Sequence, residues 1–227
     1  MISALIVAAG KGSRMGGKTD KLFLNIAGRP LVAQTWGRFD TAPFIDEIIL
    51  VVRDGRQSEF AGLAAKYNFT KPCRFVAGGK ERQDSVWNGL QQLSAQSEIV
   101  AIQDAARPCT SLELIQATIE AARQHGAAVA AQPVTDTIKL SEDGQTITRH
   151  LNRAQLWAVQ TPQTFRVEVI RRALAQVRAK SLQVTDDTAA CELIGQPVRL
   201  VLGREPNPKV TLPDDVPYVE MLLSRKS

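Results

Sequence analysis

Residues 4–21 read ALIVAAGKGSRMGGKTDK, an apolar run that breaks into a loop dense in glycine and cations. Inside it, residues 12–19 (GSRMGGKT) match the phosphate-loop pattern G-x-x-x-x-G-K-[ST] letter for letter. A true phosphate loop follows its strand and passes straight into a helix at the Lys-Thr, so that the anion sits on the helix N-terminus. Here Lys18-Thr19 leads into DKLFLNIAGRP, where Leu22, Leu24 and Ile26 alternate with period two and Asn25, Gly28 and Pro30 oppose a helix. The first helical pattern begins near Leu31, more than ten residues too late. A dinucleotide fingerprint fails as well, because Met15 occupies its third glycine position. What survives is a loop after the first strand in which Gly10, Gly12, Gly16 and Gly17 let bare backbone approach a ligand, with Arg14 and Lys21 as embedded cations. Amides and cations converging in this way suit a triphosphate.

Working outward, short apolar runs alternate with helical patterns. ALIVAA (4–9), EIILVV (47–52), CRFVA (73–77), EIVAIQ (98–103) and AAVAAQ (127–132) read as buried strands. Residues 31–41, 56–67, 82–95 and 111–125 carry apolar spacings of three and four, as in Val86, Leu90 and Leu93. Such alternation predicts an α/β fold: a mostly parallel sheet flanked by helices, with ligands at the carboxyl ends of the strands. The loops starting at Gly10, Gly78 and Asp104 all fall there. Residues 133–160 break the rhythm, and 133–155 within them read as a β-hairpin around Asp143-Gly144. A polar, isolated hairpin is marginal alone, so this arm is expected to pack on something, such as another subunit. Helical patterns at 166–178 and 186–194, a strand at 198–203 and a helix from about Pro213 complete a single domain, 1–227.

Bulk properties narrow the function. The chain is 44% hydrophobic, enough for a sizeable core, and no apolar run reaches the roughly 18–20 residues of a membrane helix. With no basic leader before the first strand, a cytoplasmic location is expected. The net charge is +5, yet the basic residues are scattered and aromatics are 5%, which argues against nucleic acid and for small phosphorylated substrates. Cys73, Cys109 and Cys191 form no C-x-x-C and read as small core residues. His125 and His150 are too few for a metal cluster, and His125 suits a helix C-terminus before Gly126.

Seven motifs in order carry a resemblance that spans nearly the whole chain. They are AAGKGSRM with Lys21, GGKERQDSVWNGL (78–90), DAARP (104–108), TDT (135–137), Arg153 with TPQ (161–163), VTDD (184–187) and NPKVTLPDD (207–215). Together they resemble the 2-C-methyl-D-erythritol 4-phosphate cytidylyltransferase family of the non-mevalonate isoprenoid route. The resemblance implies a Rossmann-like nucleotidyltransferase fold with a protruding β-arm, usually as a homodimer. It also implies a reaction of CTP with an alcohol phosphate, giving a CDP-alcohol and pyrophosphate. Magnesium is the implied cofactor, Mg2+ bound mainly through the CTP phosphates, with no protein metal-ligand set assigned. By residue, the resemblance implies that Arg14 and Lys21 stabilise the transition state and Lys209 reaches the α-phosphate. Arg153 with Thr137 holds the incoming phosphate, and Asp104, Arg107 and Thr161 contact the alcohol's hydroxyls. Gly79 and Ser85 lie where cytosine is read, and Ala8, Ala9, Gly10, Gly12 and Ala105 line the substrate. Gln103 stands where the family often has His. The residue before Asp104 points to the opposite sheet face, so little effect on catalysis is expected. TDKL at 19–22 replaces a more usual proline-containing P-K-Q, with Lys21 keeping its place.

Rival readings are a ribitol-5-phosphate cytidylyltransferase, which shares the loop and the fold, a phosphate-loop ATPase, and a non-catalytic nucleotide-binding module. The alcohol-binding residues decide whether the first holds, which sequence spacing cannot do, and the late helix opposes the second. Lys21, Lys209 and Arg153 at one supposed reaction centre oppose the third.

Overall fold

The computed structural model describes residues 1–10 and 20–225. The described chain runs through β1 (Ile2–Ala8), β2 (Asn25–Ile26), β3 (Arg29–Pro30), α1 (Leu31–Asp40), β4 (Glu47–Val52) and α2 (Gln57–Lys66). It continues with β5 (Cys73–Ala77), α3 (Arg82–Leu90), β6 (Ile99–Asp104), α4 (Leu112–His125) and β7 (Ala127–Pro133). Then come β8 (Lys139–Leu140), β9 (Arg149–His150), β10 (Trp157–Arg166), α5 (Val167–Ala179), α6 (Asp187–Glu192), β11 (Arg199–Leu202) and α7 (Asp215–Ser224).

Seven strands form one sheet in the order β11-β7-β10-β6-β1-β4-β5. Every neighbouring pair is parallel except the two made by β10, which runs antiparallel between β6 and β7. The alternating pleat sends two apolar sets to opposite faces. Ala4, Ile6, Ile48, Leu50 and Ala101 pack with Trp36, Phe39, Phe60, Ile115 and Leu222 of the helices on one side. Leu5, Ile49, Val51, Val100 and Phe165 pack with Val86, Leu90, Ile170 and Leu174 on the other. The interior strand β4 is buried along its whole length, as a strand covered on both faces must be.

The sequence predicts most of this frame, with three differences. β10 is absent from the expected strands, because Thr161, Pro162, Gln163 and Thr164 interrupt any apolar run at positions that are nonetheless buried. The alternating Leu22–Ile26 stretch is a 3-10 turn at Lys21–Phe23 followed by the two-residue β2. Its Asp20 side chain caps the turn by accepting from the Leu22 N–H. Residues 82–95 are helical only to Leu90. The hairpin at 133–155 is real but its ladder is brief, pairing Lys139 with His150 and Leu140 with Arg149. Its tip is set by Asp143, whose carboxylate accepts from Ser141 Oγ and from the N–H groups of Gln145 and Thr146, with Gly144 at φ +72°. No described helix is long and apolar enough to cross a membrane.

Candidate active site

The carboxyl ends of β1, β5 and β6 open into a cavity of about 370 Å³, lined by Ala8, Ala9, Gly10, Lys21, Gly79, Lys80, Arg82, Ser85, Asp104, Ala105 and Lys209 among others. This is the rim to which a doubly wound sheet delivers its ligands. The loop after β5 reaches it only because two residues lack side chains. A Cβ on Gly78 would lie 2.4 Å from the Ala9 Cβ, and one on Gly79 would lie 2.2 Å from the Asp84 Cβ. Ser85, buried in the first turn of α3, fixes this loop: its hydroxyl accepts from the Gly79 N–H at 3.1 Å and donates to the Glu81 carbonyl at 3.2 Å. Reciprocal capping by Glu81 and Asp84 starts α3 at the cavity wall.

Charge is concentrated on Asp104, the last residue of β6. Its carboxylate receives Lys209 Nζ at 2.7 Å and Arg82 Nε at 3.4 Å, with Arg107 Nε at 3.9 Å. Burial would raise this carboxyl, but Arg82, Lys209 and Arg107 outweigh it and hold it at about 2. Arg82 makes a second ion pair, from NH1 to Asp187 Oδ2 at 2.7 Å. Asp187 is the first residue of α6 and is fully buried, with Oδ1 lacking any partner, and burial pushes its carboxyl up despite Arg82. Burial works against the Arg82 charge too, but Asp187 and Asp104 outweigh it and raise its pKa. Lys21 joins the same region from the 3-10 turn, donating from Nζ to the Val210 carbonyl at 3.0 Å.

The sequence-predicted residues therefore divide into groups. Ala8, Ala9, Gly10, Lys21, Gly79, Ser85, Asp104, Ala105 and Lys209 share one cavity. Arg107 and Thr161 stand behind it. Arg107 NH1 donates to the Asn207 carbonyl at 2.7 Å, and Thr161 Oγ1 accepts from the Asp104 N–H at 3.1 Å. Thr137 and Arg153 sit on the exposed arm, where Arg153 NH1 donates to the Thr135 carbonyl, and neither lines the cavity. Arg14 and Gly12 lie outside the described residues. Sequence reading assigns no role to Arg82, Asp187 or Asn207, although all three fall inside the quoted motifs. Their partners are up to 105 residues away, so spacing alone could not pair them.

No histidine or cysteine is among the described residues lining the cavity. Among the described residues, no group of three or more His, Cys, Asp or Glu side chains could hold a metal ion. The three thiols are unbridged; Cys109 and Cys191 are core residues as expected, whereas Cys73 is only half-buried at the core's edge, and burial pushes Cys73 and Cys191 up to about 12.

Residues 2–225 match the family model described as IspD, 2-C-methyl-D-erythritol 4-phosphate cytidylyltransferase. A 2-C-methyl-D-erythritol 4-phosphate cytidylyltransferase of Desulforamulus reducens is 42% identical over 227 residues, covering 100% of this chain and 97% of that one. Its counterpart in Symbiobacterium thermophilum is 41% identical over 226 residues, covering 100% and 94%. The crystal structure of a 4-diphosphocytidyl-2C-methyl-D-erythritol synthase from Anaerococcus prevotii superposes with a TM-score of 0.87 at 32% identity, covering 99% of this chain and 98% of that chain.

Proposed function

The chain belongs to the 2-C-methyl-D-erythritol 4-phosphate cytidylyltransferase family, and from that premise we propose how its residues share the reaction. The enzyme joins CTP and 2-C-methyl-D-erythritol 4-phosphate, giving 4-diphosphocytidyl-2-C-methyl-D-erythritol and pyrophosphate in isoprenoid precursor biosynthesis. A phosphate oxygen of the acceptor attacks the α-phosphorus of CTP, so no side-chain nucleophile is required. The protein must align two anions in line and neutralise the charge that grows on the phosphoryl oxygens and the leaving pyrophosphate.

The observation that carries this reading is the cavity's wall, where Lys21, Lys80, Arg82 and Lys209 surround a floor of bare loop backbone. Lys21 and Arg14 stabilise the transition state, and Lys209 exchanges its contact with Asp104 for the α-phosphate. Gly79 and the loop that Ser85 fixes read the base. Asp104, Ala105, Arg107 and Thr161 hold hydroxyls of the substrates. Ala8, Ala9, Gly10 and Gly12 offer backbone to the triphosphate.

Magnesium fits this donor set as an ion that arrives on the nucleotide. Asp104 is already matched by three cations, and Mg2+ commonly keeps its waters and binds through substrate phosphates. Bound there, it neutralises triphosphate oxygens.

The arm supports a homodimer. Trp157 and Val159 on β10 are exposed, as are Leu200 and Leu202 on β11. Val159 and Leu202 both pair with Ala131 of β7, so these side chains form one apolar patch on a single sheet face at the root of the arm. A second copy related by a two-fold axis would cover it and bring its own Arg153 and Thr137 to this cavity.

The test is a pyrophosphate-release assay with CTP, UTP and ATP against 2-C-methyl-D-erythritol 4-phosphate and ribitol 5-phosphate. Each unpaired buried polar group costs about 1–3 kcal/mol, so CTP should exceed UTP and ATP by tenfold or more. Turnover of ATP at the CTP rate, or a preference for ribitol 5-phosphate, would overturn the assignment.

A further inference from the structure

Behind the cavity wall, three segments that carry proposed substrate contacts meet on one buried side chain. Asn207 is 3% exposed. Its Nδ2 donates to the Thr161 carbonyl at 2.8 Å and to Gln160 Oε1 at 3.2 Å. Its Oδ1 accepts from Thr110 Oγ1 at 2.9 Å, and its own carbonyl accepts from Arg107 NH1 at 2.7 Å. The Thr161 carbonyl can only accept, so the amide's orientation is dictated by the network. Thr110 is oriented in turn by Gln103, whose Nε2 donates to Thr110 Oγ1 at 2.9 Å and more weakly to the Arg107 carbonyl. Two residues after Asn207 comes Lys209, and the next residue closes the staple: the Val210 N–H donates to the Ala106 carbonyl at 2.9 Å.

We propose that Asn207 is a positioning residue that locks Arg107, Thr161 and Lys209 into one constellation. It ties the turn after β6, strand β10 and the 203–214 loop together through a single amide. This rests on the functional reading above, which gives those three residues their substrates. The asymmetry of the amide is the essential point. It must donate on the β10 side and accept on the Thr110 side, which an amide does at any pH and a carboxyl of the same size does only when protonated.

Asn207→Asp tests this, because it keeps shape and the acceptor but replaces the donor with a carboxyl. Ionised, the introduced carboxylate faces the Thr161 carbonyl and Gln160 Oε1 without a proton to share. Buried there, it titrates above the usual carboxylate range, and once protonated its O–H can donate to the Thr161 carbonyl. The groups facing that position are therefore neutral: Thr161 and Gln160 from β10 and Thr110 from the turn before α4. Arg107 sits on the backbone carbonyl.

At about pH 8 the variant should have kcat/KM for the alcohol phosphate lower on the order of 10², the scale of a misplaced reacting group. The variant-to-wild-type ratio should recover at least about tenfold by about pH 6, and the deficit in Tm should shrink in parallel. An activity ratio near one, or one that stays low and flat with pH, overturns the proposal. So does a Tm deficit that shrinks with acid while the activity ratio does not. If wild type turns over nothing, the functional reading falls instead, and a flat Tm deficit would still overturn the staple. Thr110→Val gives an independent arm for the case in which Asn207→Asp does not fold. It removes the hydroxyl that donates to the amide, together with that hydroxyl's contacts to Gln103 and the Arg107 carbonyl, and should lower kcat/KM about tenfold, and unchanged kcat/KM overturns the proposal.

Discussion

Removing Arg82 should separate stability from catalysis. Asp187 is 1% exposed at its side chain; its Oδ2 holds Arg82, and its Oδ1 already lacks a partner. In Arg82→Met the whole carboxyl is left buried without a counter-charge. Breaking a buried pair from one side costs about 3–5 kcal/mol. In a chain of this length each kcal/mol is worth about 2–4 °C, so Tm should fall by roughly 6–20 °C. The deficit should also depend on pH. With its carboxyl pushed above its unfolded value of about 3.9, Asp187 contributes its full stability only below that pH and loses it as pH rises through the raised folded value. Without Arg82 that folded value rises further, so the gap to wild type should widen as pH climbs past the wild-type folded value. Asp104 slopes the other way in wild type. Held at about 2, it stabilises the fold above pH ~3.9 and loses that contribution as pH falls toward 2. The double variant Arg82→Met/Asp187→Leu removes both poles and should recover most of the lost Tm, since an apolar pair of similar volume often replaces a buried ion pair without loss. Its kcat/KM should nevertheless stay down on the order of tenfold, because Asp104 has lost one charged hydrogen bond of about 1.5 kcal/mol. Thermal melts from pH 3 to 8 with pyrophosphate release at neutral pH (about 7) check all of this. A single variant that melts within about 2 °C of wild type, or a deficit flat with pH, would refute the reasoning.

The glycine-rich loop gives a sharp contrast: Arg14→Ala and Lys21→Ala should each lose on the order of 10²–10³ in kcat, whereas Thr19→Ala should stay within a few-fold. A correctly folded but inactive Thr19→Ala would restore the phosphate-loop reading. For Gly79→Ala, the added methyl would sit 2.2 Å from the Asp84 Cβ, so the base loop must shift and the KM for CTP should rise about tenfold or more; an unchanged KM would show that the loop does not touch the nucleotide. Arg153→Ala and Lys209→Ala, each nearly inactive as homodimers, should recover about a quarter of wild-type activity when mixed with subunit exchange, because half the dimers then carry one intact site. Exchange without recovery would mean that the arm serves its own chain.

The parts of the fold legible in the sequence are those written in local chemistry. The apolar runs that became β1, β4, β5, β6 and β7 need no partner to be recognised, and Gly126 and Gly195 end helical patterns at φ +88° and +64° where side chains are strained. Strand β10 is the opposite case. Gln163 is buried because its amide donates to Asp186 and accepts from the Asp187 N–H, and Thr164 because it meets Thr118. Those partners come from elsewhere in the fold, so the polar segment reads as a loop until they are known. The site shows the same division. Glycines and cations clustered after β1 announce a phosphate ligand locally, and the ordered motifs supply Asp104 and Lys209. The residues that hold these groups in place are Arg82, Asp187 and Asn207. They act through contacts spanning 22 to 105 residues, and each alone looks like an ordinary polar side chain.

The central claim is that the acceptor's own phosphate displaces pyrophosphate directly, inside a cavity whose described lining offers cations but neither histidine nor cysteine. The configuration at phosphorus tests it in one measurement. With a single stereoisomer of α-thio-CTP as donor, one in-line displacement inverts the α-phosphorus, whereas two displacements through a covalent cytidylyl-enzyme restore it. Phosphorus NMR of the thio-substituted product should show inversion, and net retention would contradict the account.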